Sequence, residues 1–273
     1  MKFTAIELPY NFQNLTNHEL TNDIFILNES FFVKRSKKIS KAFLDWTNQL
    51  NVIELVHNQP FTLPILEAQI ADEKLWVLMP YYPKLTTLAN KPLTHEILDQ
   101  LAPLVQQLHA VTTTNKIKKW DGLTQLNLYC DLVKSNEQQL TTIKNELTTW
   151  VQSYQPQKMV LCHNDLVTNN FVQDEQEWYL IDWDFAMIND PLFDIGSFAS
   201  ETLKYPEDIN YWCRLFNISP EERKIVDQWM RYQNLIWHHW ALFLHEKTKN
   251  KTYQIIAEEK LKKLLNYELF CLK

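Results

Sequence analysis

Residues 161–185, LCHNDLVTNNFVQDEQEWYLIDWDF, constrain this chain more than any other stretch. The apolar run Met159–Cys162 predicts a strand that stops at a polar loop. His163, Asp165 and Asn170 stand in that loop at the spacing H-x-D-x-x-x-x-N. A second apolar strand, Trp178–Ile181, ends on Asp182. The polar run Asp174–Glu177 is the turn between Phe171–Val172 and Trp178–Tyr179. Two carboxylates and a side-chain amide are thus placed around one short hairpin. Phosphoryl transfer asks a protein for alignment and charge neutralisation, with little covalent work. These residue types meet that need. Asp165 orients the attacking hydroxyl and accepts its proton. Asp182 and Asn170 supply the hard oxygen ligands that Mg2+ prefers. His163 braces the loop by hydrogen-bonding backbone rather than carrying a proton. A surface hairpin with scattered acids is the plain alternative, but three polar positions at this spacing, followed by an apolar strand ending in Asp, exceed it.

Glycine sharpens the choice. Only Gly122 and Gly196 occur among 273 residues, which excludes a Walker A loop and a G-x-G-x-x-G loop. Other parts of the composition exclude further classes. With 45% hydrophobic residues the chain can bury a substantial core in one or two domains. The net charge of −6 and the absence of a long basic run speak against nucleic-acid binding. No apolar run approaches the roughly 18 residues of a membrane span, and MKFTAIELPY lacks an apolar signal core. Cys130, Cys162, Cys213 and Cys271 are far apart and form no C-x-x-C, as reduced thiols in a cytosolic protein would be. Cytoplasmic localisation without membrane insertion is therefore expected.

The pattern along the chain is that of an α+β fold. Ile24–Leu27 with Phe31–Lys34, and Ile65–Ile70 with Leu75–Met79, predict two β-hairpins. A helix is predicted over Ile39–Leu50. Two prolines in Met79-Pro80-Tyr81-Tyr82-Pro83 break the pattern and suit a hinge across 79–84. Helices are predicted over Leu93–Val111, Asp131–Tyr154, Ser219–Lys247 and Thr252–Leu272. At the third of these, Ser219-Pro220-Glu221-Glu222 gives a capping serine, a proline at the first helical position and a capping-box glutamate.

The segment 158–201 resembles the choline/ethanolamine kinase and aminoglycoside phosphotransferase superfamily, and bacterial choline kinases in particular. The resemblance rests on Leu161-Cys162-His163-Asn164-Asp165-Leu166, Ile181-Asp182-Trp183-Asp184 and Met187–Gly196. Protein kinases have Arg where this chain has Asn164, and D-F-G where it has Asp182-Trp183-Asp184, so a small-molecule acceptor is implied. The resemblance implies a protein-kinase-like, two-lobed α+β fold. Residues 1–80 would form a nucleotide-binding lobe with a small antiparallel sheet. Residues 81–273 would form a mainly helical catalytic and acceptor-binding lobe.

It also implies site residues. Thr21 and Asn22 match the end of the family's phosphate loop, although Asn17, His18 and Glu19 stand where its glycines would be, and Glu19 would repel phosphate. Lys34 or Arg35 would pair with the phosphates. Neighbours on a strand point to opposite faces, and Lys34 is the first choice. Asp45 is the acid within Ile39–Leu50 that could partner it. Met79 and Tyr81 would flank the adenine. Trp237 and Trp240, three apart on a helix, would form two walls of a cation site. Glu201 would lie near the ammonium and Tyr205 would add a wall. Asp194 would brace the catalytic loop.

The expected activity is transfer of the ATP γ-phosphate, with Mg2+, to the hydroxyl of a small cationic alcohol, choline first. Ethanolamine, thiamine and an aminoglycoside are alternative acceptors. A catalytically weak nucleotide- or ligand-binding module is the alternative class, raised by the glycine-free phosphate loop.

Overall fold

The computed structural model describes residues 13–14, 21–133 and 138–266. Its elements run β1 (Gln13–Asn14), β2 (Asn22–Leu27), β3 (Phe31–Ser36), α1 (Trp46–Val56), β4 (Glu67–Ala71), β5 (Lys74–Pro80), β6 (Thr86–Thr87) and α2 (His95–His109). There follow α3 (Gly122–Leu132), α4 (Gln138–Ser153), β7 (Val160–Cys162), β8 (Phe171–Asp174), β9 (Glu177–Leu180) and β10 (Met187–Asn189). Four helices end the described chain: α5 (Pro191–Thr202), α6 (Pro206–Leu215), α7 (Pro220–Thr248) and α8 (Lys251–Leu265). The chain divides into two compact units. One holds the described residues up to Lys118 together with 168–187. The other holds 119–167 and the described residues from Ile188 onward.

The first unit is built on an antiparallel sheet in the order β1-β2-β3-β5-β4. Alternation along β2 buries Ile24 and Ile26, whereas β5 is buried on both faces from Leu75 to Leu78. The two-residue loop between β4 and β5 has positive φ at both Asp72 and Glu73 (50° and 53°). That is the backbone of a type I′ turn, whose twist matches the strands it joins. Asn28 and Glu29 likewise have φ of 51° and 52° at the β2–β3 turn. In a chain so poor in glycine, Asn, Asp and Glu take the left-handed positions at some steric cost. A second small sheet, β6-β8-β9, carries the hairpin that ends before Asp182.

The second unit is helical around α7, which packs on α3, α5 and α8. Helix α7 starts with a complete capping box: Glu222 N–H donates to Ser219 Oγ, and the Glu222 carboxylate accepts Ser219 N–H. Trp229 lies at the centre, edge-on to Trp150, Tyr154, Phe193 and Tyr232. Gly196 lets α5 approach α7 closely, since a Cβ there would stand 3.1 Å from the Val226 carbonyl oxygen.

Some expected boundaries are corrected. The helix expected over Ile39–Leu50 is a short 3-10 turn, Lys38–Ala42, and then α1, which begins only at Trp46. Asp45 is the reason: its carboxylate accepts the N–H groups of Thr47 and Asn48 and so starts the helix there. The stretch expected as one helix over Asp131–Tyr154 contains the end of α3 and then α4. The last helix is described to Leu265. Among the described residues no helix is long and apolar enough to cross a membrane.

Candidate active site

In the first unit the polar centre is Lys34 on β3. Its ammonium lies 2.5 Å from Asp182 Oδ1 and 2.7 Å from Asp184 Oδ1. Burial disfavours the ammonium, but the charges of Asp182 and Asp184 outweigh it and hold Lys34 above the ordinary lysine range. Asp184 is pushed up, by burial first and then by the charge of Asp182, with Lys34 opposing. Asp182 follows β9 in a left-handed conformation, φ 68°. Such a backbone is costly outside glycine and persists where the surroundings over-determine it. Several bonds do so here. Leu180 N–H donates to the Phe61 carbonyl, and Ile181 N–H donates to the Asn170 carbonyl at 3.0 Å. Trp183 Nε1 donates to Thr62 Oγ1. The Ile181–Asn170 bond brings Asn170, at the mouth of β8, next to the residue that precedes Asp182.

Lys34 and Asp182 line one pocket of about 210 Å3 with Ile24, Phe32, Leu63, Met79, Pro80, Tyr81, Tyr82, Leu85 and Ile181. Arg35, the neighbouring cation on β3, turns elsewhere. It pairs with Asp23 at 2.8 Å and lies over the rings of Phe25 and Trp76. Asp45 does not partner Lys34, because it caps α1 and pairs with Lys118. Thr21 and Asn22 are buried, and their side chains serve Asp184: Thr21 Oγ1 donates at 3.1 Å and Asn22 Nδ2 at 2.8 Å. Asn17, His18, Glu19 and Cys271 lie outside the described residues.

In the second unit the loop that carries His163 and Asp165 leaves β7 and is fastened to α5 through its backbone. Asp194 accepts His163 N–H at 2.9 Å and Asn164 N–H at 2.7 Å, one on each carboxylate oxygen. Ser197 Oγ accepts Leu166 N–H, and Asn189 Nδ2 donates to Asn164 Oδ1. Asn164 is left-handed, φ 64°. His163 is fully buried, whereas Asp165 is only partly so. The charge of Asp165 reaches Tyr129, whose hydroxyl is pushed up by burial and then by that charge.

Tyr129 stands edge-on to Trp237 at 5.5 Å, Trp237 to Trp240 at 6.0 Å, and Trp240 to Tyr253 at 5.8 Å. The structure thus brings the two tryptophans together, both nearly buried. His238 and His239, between them in sequence, point their Nδ1 atoms at the carbonyls of Ala257 and Leu235. Glu201 is separate from these rings in its contacts: its carboxylate pairs with Lys260, and it lines a cavity of about 460 Å3 with Ser200, Asn234 and Lys263. Tyr205 is 64% exposed.

Sequence reasoning gave no role to Asp184 or Tyr129. For Asp184 strand alternation gave no signal, because Asp182 is left-handed and Asp184 lies in a turn beyond β9. For Tyr129 no local signal marks it within α3.

The donor set around Asp182 fits a hard divalent cation. Asp182 is a partly exposed carboxylate, and Asn170, whose backbone carbonyl accepts Ile181 N–H, carries a neutral amide oxygen; both are ligand types of Mg2+.

Over 98 residues the chain is 30% identical to Protein LicA of Haemophilus influenzae, a match covering 33% of this chain and 37% of that protein. The chain thus matches 29–37% of the length of the curated relatives. The choline kinase LicA from Streptococcus pneumoniae superposes with a TM-score of 0.78 at 16% identity, over 97% of this chain and 96% of that one. A choline/ethanolamine kinase family protein from Mesorhizobium loti gives 0.74 at 16%, over 99% and 92%. A spectinomycin phosphotransferase in complex with ADP and spectinomycin gives 0.63 at 15%, over 95% and 90%. These likenesses establish a kinase-like α+β fold. The model of the phosphotransferase enzyme family matches residues 17–228, and the chain belongs to that family.

Proposed function

We propose that this phosphotransferase moves the γ-phosphate of ATP, as its Mg2+ complex, to the hydroxyl of a small cationic alcohol, with choline the first acceptor to test. The observation that carries the donor half is that Lys34 and Asp182 share one pocket whose other lining is largely apolar. An apolar slot beside a cation and a carboxylate suits a base at one end and metal-bound phosphates at the other.

The hinge bears on the base. Tyr81 N–H donates to the Ser30 carbonyl at 2.8 Å. In an antiparallel ladder this assigns Pro80, opposite Phe31, to the pair whose polar groups point away from β3. Proline has a carbonyl there and no N–H. That acceptor suits the amino group of adenine, whereas guanine carries an oxygen at the same position. In this reading residues 1–80 bind the nucleotide, and 81–273 supply the catalytic loop, the metal ligands and the acceptor site.

Asp165 would accept the proton of the attacking hydroxyl, and Asn170 and Asp182 would hold the metal, which neutralises phosphate charge when bound. Lys34 would hold the phosphates. His163 and Asp194 would keep the loop in shape. The acceptor half rests on Tyr129, Trp237 and Trp240: aromatic faces recognise an ammonium that cannot donate hydrogen bonds, and Tyr129 feels the charge of Asp165.

Glu201 already has Lys260 as its cation, which removes the expected carboxylate from the choline site and leaves a second reading, in which the acceptor is ethanolamine, thiamine or an aminoglycoside. The test is ATP consumption with choline, ethanolamine, thiamine and kanamycin, followed by binding of choline against uncharged 3,3-dimethylbutanol. Choline turnover and a clear preference for choline are expected. Trp237→Ala and Trp240→Ala should each weaken choline about tenfold and leave the ATP requirement nearly unchanged. Equal binding of choline and dimethylbutanol overturns the choline assignment; turnover with kanamycin alone supports the second reading.

A further inference from the structure

Lys34 touches two carboxylates whose surroundings differ. The Asp182 side chain is 31% exposed and lines the pocket, whereas that of Asp184 is 7% exposed. Both oxygens of Asp184 are engaged from within the protein. Oδ1 takes Lys34, and Oδ2 takes Thr21 Oγ1 and Asn22 Nδ2. Its backbone carbonyl accepts Gln49 Nε2 of α1 at 2.9 Å. Three elements, β2, β3 and α1, therefore converge on this one residue. A carboxylate so occupied is poorly placed to ligate a metal. Helix α1 sends no acid to Lys34, because Asp45 caps its start and Glu54 is exposed.

The consequence for Lys34 is mechanical. If Asp182 were its sole anchor, the lysine would lose its partner whenever Asp182 turned to a metal ion. A buried ammonium without a partner is costly, so the side chain would have to move or stay competing for Asp182. With Asp184 present, the ammonium keeps a carboxylate at 2.7 Å whatever Asp182 does.

We infer that Asp184 is the positioning residue of Lys34, fixing its ammonium at the pocket so that Asp182 is available to the metal, with α1 acting through Gln49 rather than through an acid. This deepens the nucleotide reading above and rests on it.

The experiment measures ADP binding calorimetrically in EDTA and again in Mg2+, and the Mg2+ midpoint of ATP turnover. Asp184→Asn should weaken metal-free ADP binding roughly tenfold or more, as loss of a charged hydrogen-bond partner does. The Mg2+ midpoint should stay. Asp182→Asn should keep metal-free binding and lose the gain in affinity that Mg2+ gives. Asp184→Asn behaving like Asp182→Asn, or leaving metal-free binding intact, overturns the inference. Wild-type protein that binds no ADP in either condition overturns the nucleotide reading instead. Should Asp184→Asn fail to fold, Thr21→Val removes one hydroxyl donor and keeps the carboxylate. It should weaken metal-free ADP binding several-fold, and that effect should vanish in a Lys34→Met background. Persistence of the effect there also overturns the inference.

Discussion

The two compact units hold their key acids in opposite ways. In the first, Asp182 and Asp184 are held by side chains: one lysine joins them, with a hydroxyl and an amide on the deeper acid. In the second, Asp194 is held by backbone, through the N–H groups of His163 and Asn164, and is fully buried. An acid bound by mobile side-chain donors, with a third of its own surface open, can exchange a partner. An acid that closes a loop by two backbone bonds cannot let go without releasing the loop. Charge at Asp182 is thus arranged to act, and at Asp194 to shape.

This contrast predicts a separation of activity from stability, and its largest effect is on turnover. Asp165→Asn removes the proposed proton acceptor and Asp182→Asn the metal carboxylate. Each should lower turnover by about 10²- to 10⁴-fold. Both positions are partly exposed, so urea unfolding midpoints should stay near wild type. A variant that keeps wild-type turnover would remove that residue from the reaction. A large loss of stability at Asp182 would erase the contrast itself.

Asp194→Ala should show the reverse order. It leaves two buried backbone N–H groups without their acceptor, each costing about 1–3 kcal/mol. A loss of about 2–5 kcal/mol in urea unfolding is expected, with turnover falling as a consequence. Asp194→Asn keeps the volume and one acceptor oxygen and should fall between. If Asp194→Ala unfolds at the wild-type midpoint, the loop is held by something other than these bonds.

The sequence made the two kinds of acid unequally legible. The loop residues His163-x-Asp165 and Asn170, and the hairpin before Asp182, are local: turn residues and alternation specify them within 25 residues. Helix α7 was legible for the same reason, because Ser219-Pro220-Glu221-Glu222 states its own start. What pairs with what was not local. Lys34 and Asp184 are 150 residues apart, and Asn22 and Asp184 are 162 apart, so only packing brings them together. The family pattern led to an acid on the helix after Lys34, and Asp45 was the one on offer. Its real task, capping α1, was written in the sequence as an Asp two and three residues ahead of the N–H groups it accepts. The turn residues hid in another way. Glycine usually marks left-handed positions, and here Asn28, Asp72 and Glu73 occupy them.

Asp45 also gives the smallest effect and the finest test of the contrast, since it is a surface acid held by both kinds of donor. Two backbone N–H groups at the start of α1 bind one oxygen, and Lys118 pairs with the other. Partial burial raises its pKa, but the bonds from Lys118 and from Asn48 and Thr47 outweigh this and leave it below the ordinary aspartate value. A carboxyl with a depressed folded-state pKa adds stability above its unfolded pKa and loses it as pH falls through the folded one. Asp45→Ala should therefore cost about 1 kcal/mol at neutral pH, the usual loss for a helix cap. The cost should shrink as pH drops below the ordinary aspartate range. Lys118→Ala should cost less than Asp45→Ala, because an exposed ion pair contributes at most about 1 kcal/mol, and raised salt should shrink its effect further. If the Lys118 variant proves the costlier, the side-chain pair dominates at this helix start, and backbone-held acids lose their claim to be the shape-givers of the chain.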